Sequence, residues 1–149
     1  MRKFIISLLV LIGLSSGVYF VIGQLNSKPP TLIITVGEKN VEVVQGSYCW
    51  EGLFNSVCAD TASPPEPIKH QRLKPTVISP ESAIKIDFIT KPHKNSTGAN
   101  QWLQNGETEN VPLNDNIIFA PKEEGVYVYD VYARWDKGDS SYAFVIEIR

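Results

Sequence analysis

Gly125-Val126-Tyr127-Val128-Tyr129-Asp130-Val131-Tyr132-Ala133-Arg134-Trp135, then Asp136-Lys137-Gly138-Asp139, then Ser140-Ser141-Tyr142-Ala143-Phe144-Val145-Ile146-Glu147-Ile148 closes the chain and decides its fold class. In the last run Tyr142, Phe144, Ile146 and Ile148 fall on one side, opposite Ser141, Ala143, Val145 and Glu147. That is the two-residue period of a strand. The first run is rich in Val and Tyr, and the Asp and Gly between the runs supply the backbone angles of a turn. The spacing predicts a terminal β-hairpin with arms at 126–135 and 140–148 about a turn at 136–139.

The same chemistry recurs upstream. Leu32-Ile33-Ile34-Thr35-Val36, Gly37-Glu38-Lys39-Asn40 and Val41-Glu42-Val43-Val44 read as a second hairpin, two β-branched runs joined by turn residues. Ile84, Ile86 and Phe88 alternate with Lys85 and Asp87, and Trp102-Leu103 and Ile117-Ile118-Phe119 are further short apolar runs. Ser63-Pro64-Pro65-Glu66-Pro67 is a loop, because its three prolines remove three ladder donors. From Lys91 to Asn100 polar and turn residues dominate, which reads as the longest soft region of the body. Seven to nine short strands and no amphipathic helix predict a single β-sandwich over residues 32–149.

Ahead of it, Arg2 and Lys3 precede residues 4–22, nineteen positions without a charge. As a helix these cover roughly 28 Å, against a hydrocarbon core of about 30 Å. Residues 1–23 therefore read as an N-terminal anchor or signal segment and 24–31, with Pro29-Pro30, as a stiff linker. Two readings compete: a retained single-pass anchor with Met1 cytoplasmic and the body extracytoplasmic, or a signal peptide cut near Gly17, giving a secreted domain. No Cys precedes Cys49, so no thiol stands ready for lipid attachment near the N-terminus.

Cys49 and Cys58 are the only cysteines in the 149 residues, nine positions apart around Trp50-Glu51-Gly52-Leu53-Phe54-Asn55-Ser56-Val57. In an oxidising compartment such a pair is expected to close a hairpin tip as a structural disulfide. Redox catalysis favours Cys-x-x-Cys, a spacing these two do not have. Removing Arg2 and Lys3 leaves 12 Lys and Arg against 16 Asp and Glu, so the body carries −4 and no nucleic-acid partner is expected.

Gly125-Val126-Tyr127-Val128-Tyr129 resembles the penultimate strand of immunoglobulin-like and fibronectin-type domains, with Tyr127 as the corner residue and Tyr129 as the buried position two residues on. The family's inter-sheet Cys is absent from this place. Gln45-Gly46-Ser47-Tyr48-Cys49-Trp50, with Cys58 and Pro64-Pro65-Glu66 following, also resembles small uncharacterised envelope proteins of Gram-positive bacteria. The expected fold class is thus all-β, an immunoglobulin-like β-sandwich preceded by one N-terminal transmembrane helix.

For chemistry the chain offers little. His70 and His93 lie in Pro- and Lys-rich polar stretches, and no Gly-x-Ser-x-Gly, His-Glu-x-x-His or phosphate-cradling Gly-rich loop is present. Asp130, Asp136 and Asp139 are close in sequence, but Asp136-Lys137-Gly138-Asp139 reads as a turn before it reads as a calcium loop. Asn95-Ser96-Thr97 is a glycosylation acceptor pattern. No catalytic residue, metal site or cofactor is expected, and the chain reads as a non-enzyme. What remains is aromatic. Trp50, Leu53 and Phe54 on the disulfide loop are the candidate binding residues for a protein partner, a glycan or the membrane surface; Trp102 and Trp135 read as caps on the ends of the core. The functional expectation is a membrane-tethered extracytoplasmic binding or interaction module held by residues 4–22. The alternatives are an accessory subunit of an envelope complex, or an immunoglobulin-like protease inhibitor with Pro64-Pro65-Glu66-Pro67 as bait.

Overall fold

The structure is a computed structural model and describes residues 2–25, 28–52, 55–64 and 73–149. Among the described residues one helix, α1 (Arg2–Leu25), precedes eleven strands: β1 (Leu32–Val36), β2 (Lys39–Val41), β3 (Val43–Glu51), β4 (Ser56–Ala59), β5 (Thr76–Ile78), β6 (Ala83–Phe88), β7 (Gly98–Trp102), β8 (Thr108–Val111), β9 (Ile117–Phe119), β10 (Gly125–Trp135) and β11 (Gly138–Ile148). The side chains of α1 at positions 3–19 are exposed. Among the described residues no helix is long and apolar enough to cross a membrane. The transmembrane helix expected over residues 4–22 thus finds no support among the described residues.

The strands form two antiparallel sheets, one ordered β2-β1-β6-β9 and the other β4-β3-β11-β10-β7-β8, with β5 lying parallel against the C-terminal end of β11. Leu32, Ile34, Ile84, Ile86, Phe88 and Ile118 of the first sheet share one core with Trp50, Tyr129, Val131, Phe144, Ile146 and Ile148 of the second. Burial of these apolar faces, at about 25 cal/mol per Å², is the main force holding the sheets together. The terminal hairpin is its axis. β10 and β11 pair without a break from Gly125↔Ile148 to Trp135↔Gly138. The turn is two residues, Asp136-Lys137, and Gly138 and Asp139 expected in it are already strand, paired to Trp50 and Cys49 on the far side.

Two other expectations need correction. The first hairpin closes over Gly37-Glu38, its return arm is only Lys39–Val41, and after Glu42 the chain crosses to the other sheet as β3. The run 41–44 is therefore split between sheets, with Val41 in the shared core and Val44 outside it. The side of β11 expected to be wet is also partly dry. Ala143 and Val145 are buried with Val44 in a small cluster on the outer face, packed by Leu73 and Val128.

At the start of β10 the Tyr127 hydroxyl donates to the Glu123 carbonyl at 3.0 Å. Two residues on, Tyr129 is buried and stacked on Phe144 with ring centroids 5.1 Å apart. Cys49 and Cys58 face each other directly in the β3–β4 register and form the expected disulfide. Closing this short loop in the unfolded chain is worth roughly 2–3 kcal/mol. Replacing both cysteines by Ala should therefore lower the unfolding free energy by about that amount in urea titration. An unchanged midpoint would mean that β4 detaches before the rest unfolds.

Candidate functional site

The linker 28–31, the β3–β4 connection, residues 89–97 and the turn Asp136-Lys137 all come to one end of the fold, because β1 begins there and β3, β6 and β10 end there. Backbone bonds bind them to one another: Glu51 N–H donates to Lys137 O at 2.7 Å, Ile89 N–H to Thr31 O at 3.2 Å and His93 N–H to Arg134 O at 2.8 Å. The Tyr142 hydroxyl donates to Pro30 O, fastening the linker to the core. The stretch read as soft is thus pinned. Ser96 Oγ lies 2.9 Å from His93 O and 3.1 Å from Arg134 O as donor and accepts from Arg134 N–H at 3.2 Å, while β7 begins at Gly98.

Under these loops lies an aromatic floor. Trp135 meets Phe88 edge-on at 5.1 Å and Trp50 at 5.7 Å, and its indole N–H donates to Thr90 O at 2.9 Å. Trp135 closes this end of the core, as its sequence position suggested. Trp50 does not sit on the loop surface. It is 5% exposed, because β3 continues to Glu51 and the strand period turns Trp50 inward while Cys49 faces out. Leu53 and Phe54, expected beside it, lie outside the described residues, as do His70 and the Pro65-Glu66-Pro67 segment. Above the floor a cleft of about 640 Å³ opens between Lys28, Pro30, Ile89, Lys91, Trp135 and Asp136. His93 Nε2 reaches Asp136 Oδ1 at 3.2 Å on its rim, with both side chains exposed, so the pair adds little to stability.

A second cleft of about 700 Å³ lies on the outer face of the larger sheet, bordered by the disulfide, Asp60, Asn95, Tyr132, Arg134 and Asp139. Further along that face Trp102, expected to cap the core, instead lies opposite Val128 and donates its indole N–H to Asp130 at 2.9 Å. Burial pushes the Asp130 carboxyl up, partly offset by hydrogen bonds from Trp102 and Asn100. The three aspartates have different surroundings: Asp130 bonds Trp102, Asp136 meets His93 and Asp139 borders the outer-face cleft. Among the described residues no cluster of His, Cys, Asp and Glu could hold a metal ion.

The outer-face cleft was hidden from sequence reasoning, since its members come from five separate stretches of chain. The Asn95-Ser96-Thr97 pattern and the cysteine pair were the local signals near it. No protein family, curated protein or solved structure matches this chain.

Proposed function

We propose that the chain is a membrane-tethered extracytoplasmic interaction module, anchored by residues 4–22 and built on an immunoglobulin-like β-sandwich. The sandwich reading is supported by two sheets over one core and by the Tyr127–Glu123 bond two residues ahead of buried Tyr129, the corner arrangement of such domains. On this reading the hairpins β1–β2 and β3–β4 are additions, one to the edge of each sheet. The anchor rests on nineteen uncharged positions behind Arg2 and Lys3, and the disulfide accords with an oxidising compartment.

The observation that carries the function is the gathering of the linker, residues 89–97 and the Asp136-Lys137 turn around one cleft. Six residues, 26–31, separate α1 from β1, and fully extended they reach about 20 Å. The loop end therefore stays close to the tether, and the partner it suits is one held at the bilayer surface. Recognition is by surface complementarity, with Lys91, Pro30 and Ile89 around the cleft mouth.

A photo-cross-linking residue placed at Lys91 should yield a discrete adduct in intact membranes, while the same residue at Glu38, in the β1–β2 turn at the far end, should not. Equal yields from both positions overturn the assignment of the loop end. Protease added outside intact cells should remove the body and leave residues 4–22 in the membrane fraction; a protected body overturns the extracytoplasmic placement.

A further inference from the structure

The outer-face cleft has an unusual floor. Tyr132 stands opposite Gly98 in the β10–β7 register, and a Cβ at Gly98 would overlap Tyr132 Cζ and its hydroxyl. The ring therefore lies across the glycine backbone, in the space a side chain would fill. Such seating of an aromatic on a cross-strand glycine fixes the ring's plane. Tyr132 also borders the cleft and remains 41% exposed.

Polar groups rim this platform at fixed positions. Arg134 and Asp139 face each other across β10 and β11. Asp60 accepts from Ser47 Oγ at 2.9 Å through one carboxylate oxygen, which orients it. Asn95 sits in a left-handed turn, φ 62°, next to Ser96, whose hydroxyl is bonded to Arg134. Among the described residues the side chains of Asn95, Arg134 and Asp139 make no hydrogen bond or ion pair with one another or with other groups. The rim thus holds unspent donors and acceptors around a rigid aromatic face. With one Arg against two Asp it does not suit an anion. A neutral pyranose has the matching chemistry, a C–H face for the ring and hydroxyls at its perimeter for the rim. The volume, about 700 Å³, lies in the range of small-ligand sites.

We propose that this cleft is a carbohydrate subsite. The Tyr132 ring stacks on a neutral pyranose, and Arg134, Asp139 and Asp60 hydrogen-bond its hydroxyls. This goes beyond the proposed function and uses a different surface, so cross-linking from Lys91 and sugar binding can fail separately.

The test is an NMR titration of the full chain, in a detergent without a sugar head group, with β-1,4-linked tetrasaccharides of glucose and of N-acetylglucosamine. Saturable shifts with at least one of them, confined to amides of residues 95–98, 132–134 and 139–141, are expected. Tyr132→Phe should bind within about threefold of wild type, and Tyr132→Ala should lose about tenfold or more. Gly98→Ala, which lifts the ring from its seat, should weaken binding in the same way. Where Tyr132→Ala fails to fold, the double variant Arg134→Met with Asp139→Asn, both exposed, serves instead and should also weaken binding about tenfold. No shift with either sugar, shifts centred elsewhere, or undiminished binding by the folded variants overturns the subsite.

Discussion

Trp135→Ala is expected to lower the free energy of unfolding by about 3–5 kcal/mol, the usual range for removing a large buried aromatic. The side chain is 7% exposed and is the hub of the aromatic floor, touching Phe88 on one sheet and Trp50 on its own. Its loss opens a cavity between the sheets at the end where the loops meet. It also leaves the Thr90 carbonyl without the indole donor that holds it at 2.9 Å. Urea denaturation measures the total. Trp135→Phe separates the contributions, because it keeps most of the ring but no N–H, and should cost about 1–2 kcal/mol. Amide exchange across residues 89–97 should rise in both variants, since the Thr90 bond is lost in both. A cost below about 1 kcal/mol for Trp135→Ala would mean that the two sheets do not share this end of the core.

The terminal hairpin was legible because each of its arms carries its own period, and pairing two adjacent arms needs only a turn between them. What covers a face is not written in that period. Ala143 and Val145 read as the wet side of β11, yet they are buried, because their cross-strand neighbours Val44 on β3 and Val128 on β10 flank them and Leu73 packs against the same cluster. Trp50 was misplaced for a related reason. The Gly, Asn and Ser after it signal a loop, but the β3–β11 pairing extends through Trp50↔Gly138 and keeps it in strand phase. The stretch 91–97 has the composition of a mobile loop, and its anchoring by Ser96 and by backbone bonds to Arg134 depends on a register set 38 residues away. The disulfide was readable, since its partners are close in sequence and oppose each other in one hairpin. The Tyr132 platform was not: Gly98 follows Asn-Ser-Thr and looks like part of a turn, and only its pairing with Tyr132 gives the missing side chain a purpose.

Gly138→Ala should be the other costly change, at roughly 3 kcal/mol or more, combining backbone strain with a steric overlap that has nowhere to relax. Gly138 has φ 143°, which L side chains rarely adopt, and it pairs with Trp135 on one side and Trp50 on the other. A Cβ there would overlap the carbonyl oxygen of Cys49 and lie 3.2 Å from Trp50 Cα. The atoms in the way are backbone, so no rotamer change relieves them. β3 would have to move off β11, breaking the 2.7 Å bond from Glu51 N–H to Lys137 O and shifting Trp50 from its contact with Trp135. Gly106→Ala is the control: its φ is also positive, at 85°, but a Cβ there meets nothing within 4 Å. It should cost only about 1 kcal/mol, the strain alone. If thermal or urea melts show the two substitutions to be equal, the crowding between β3 and β11 is not energetically significant, and conformational strain accounts for both.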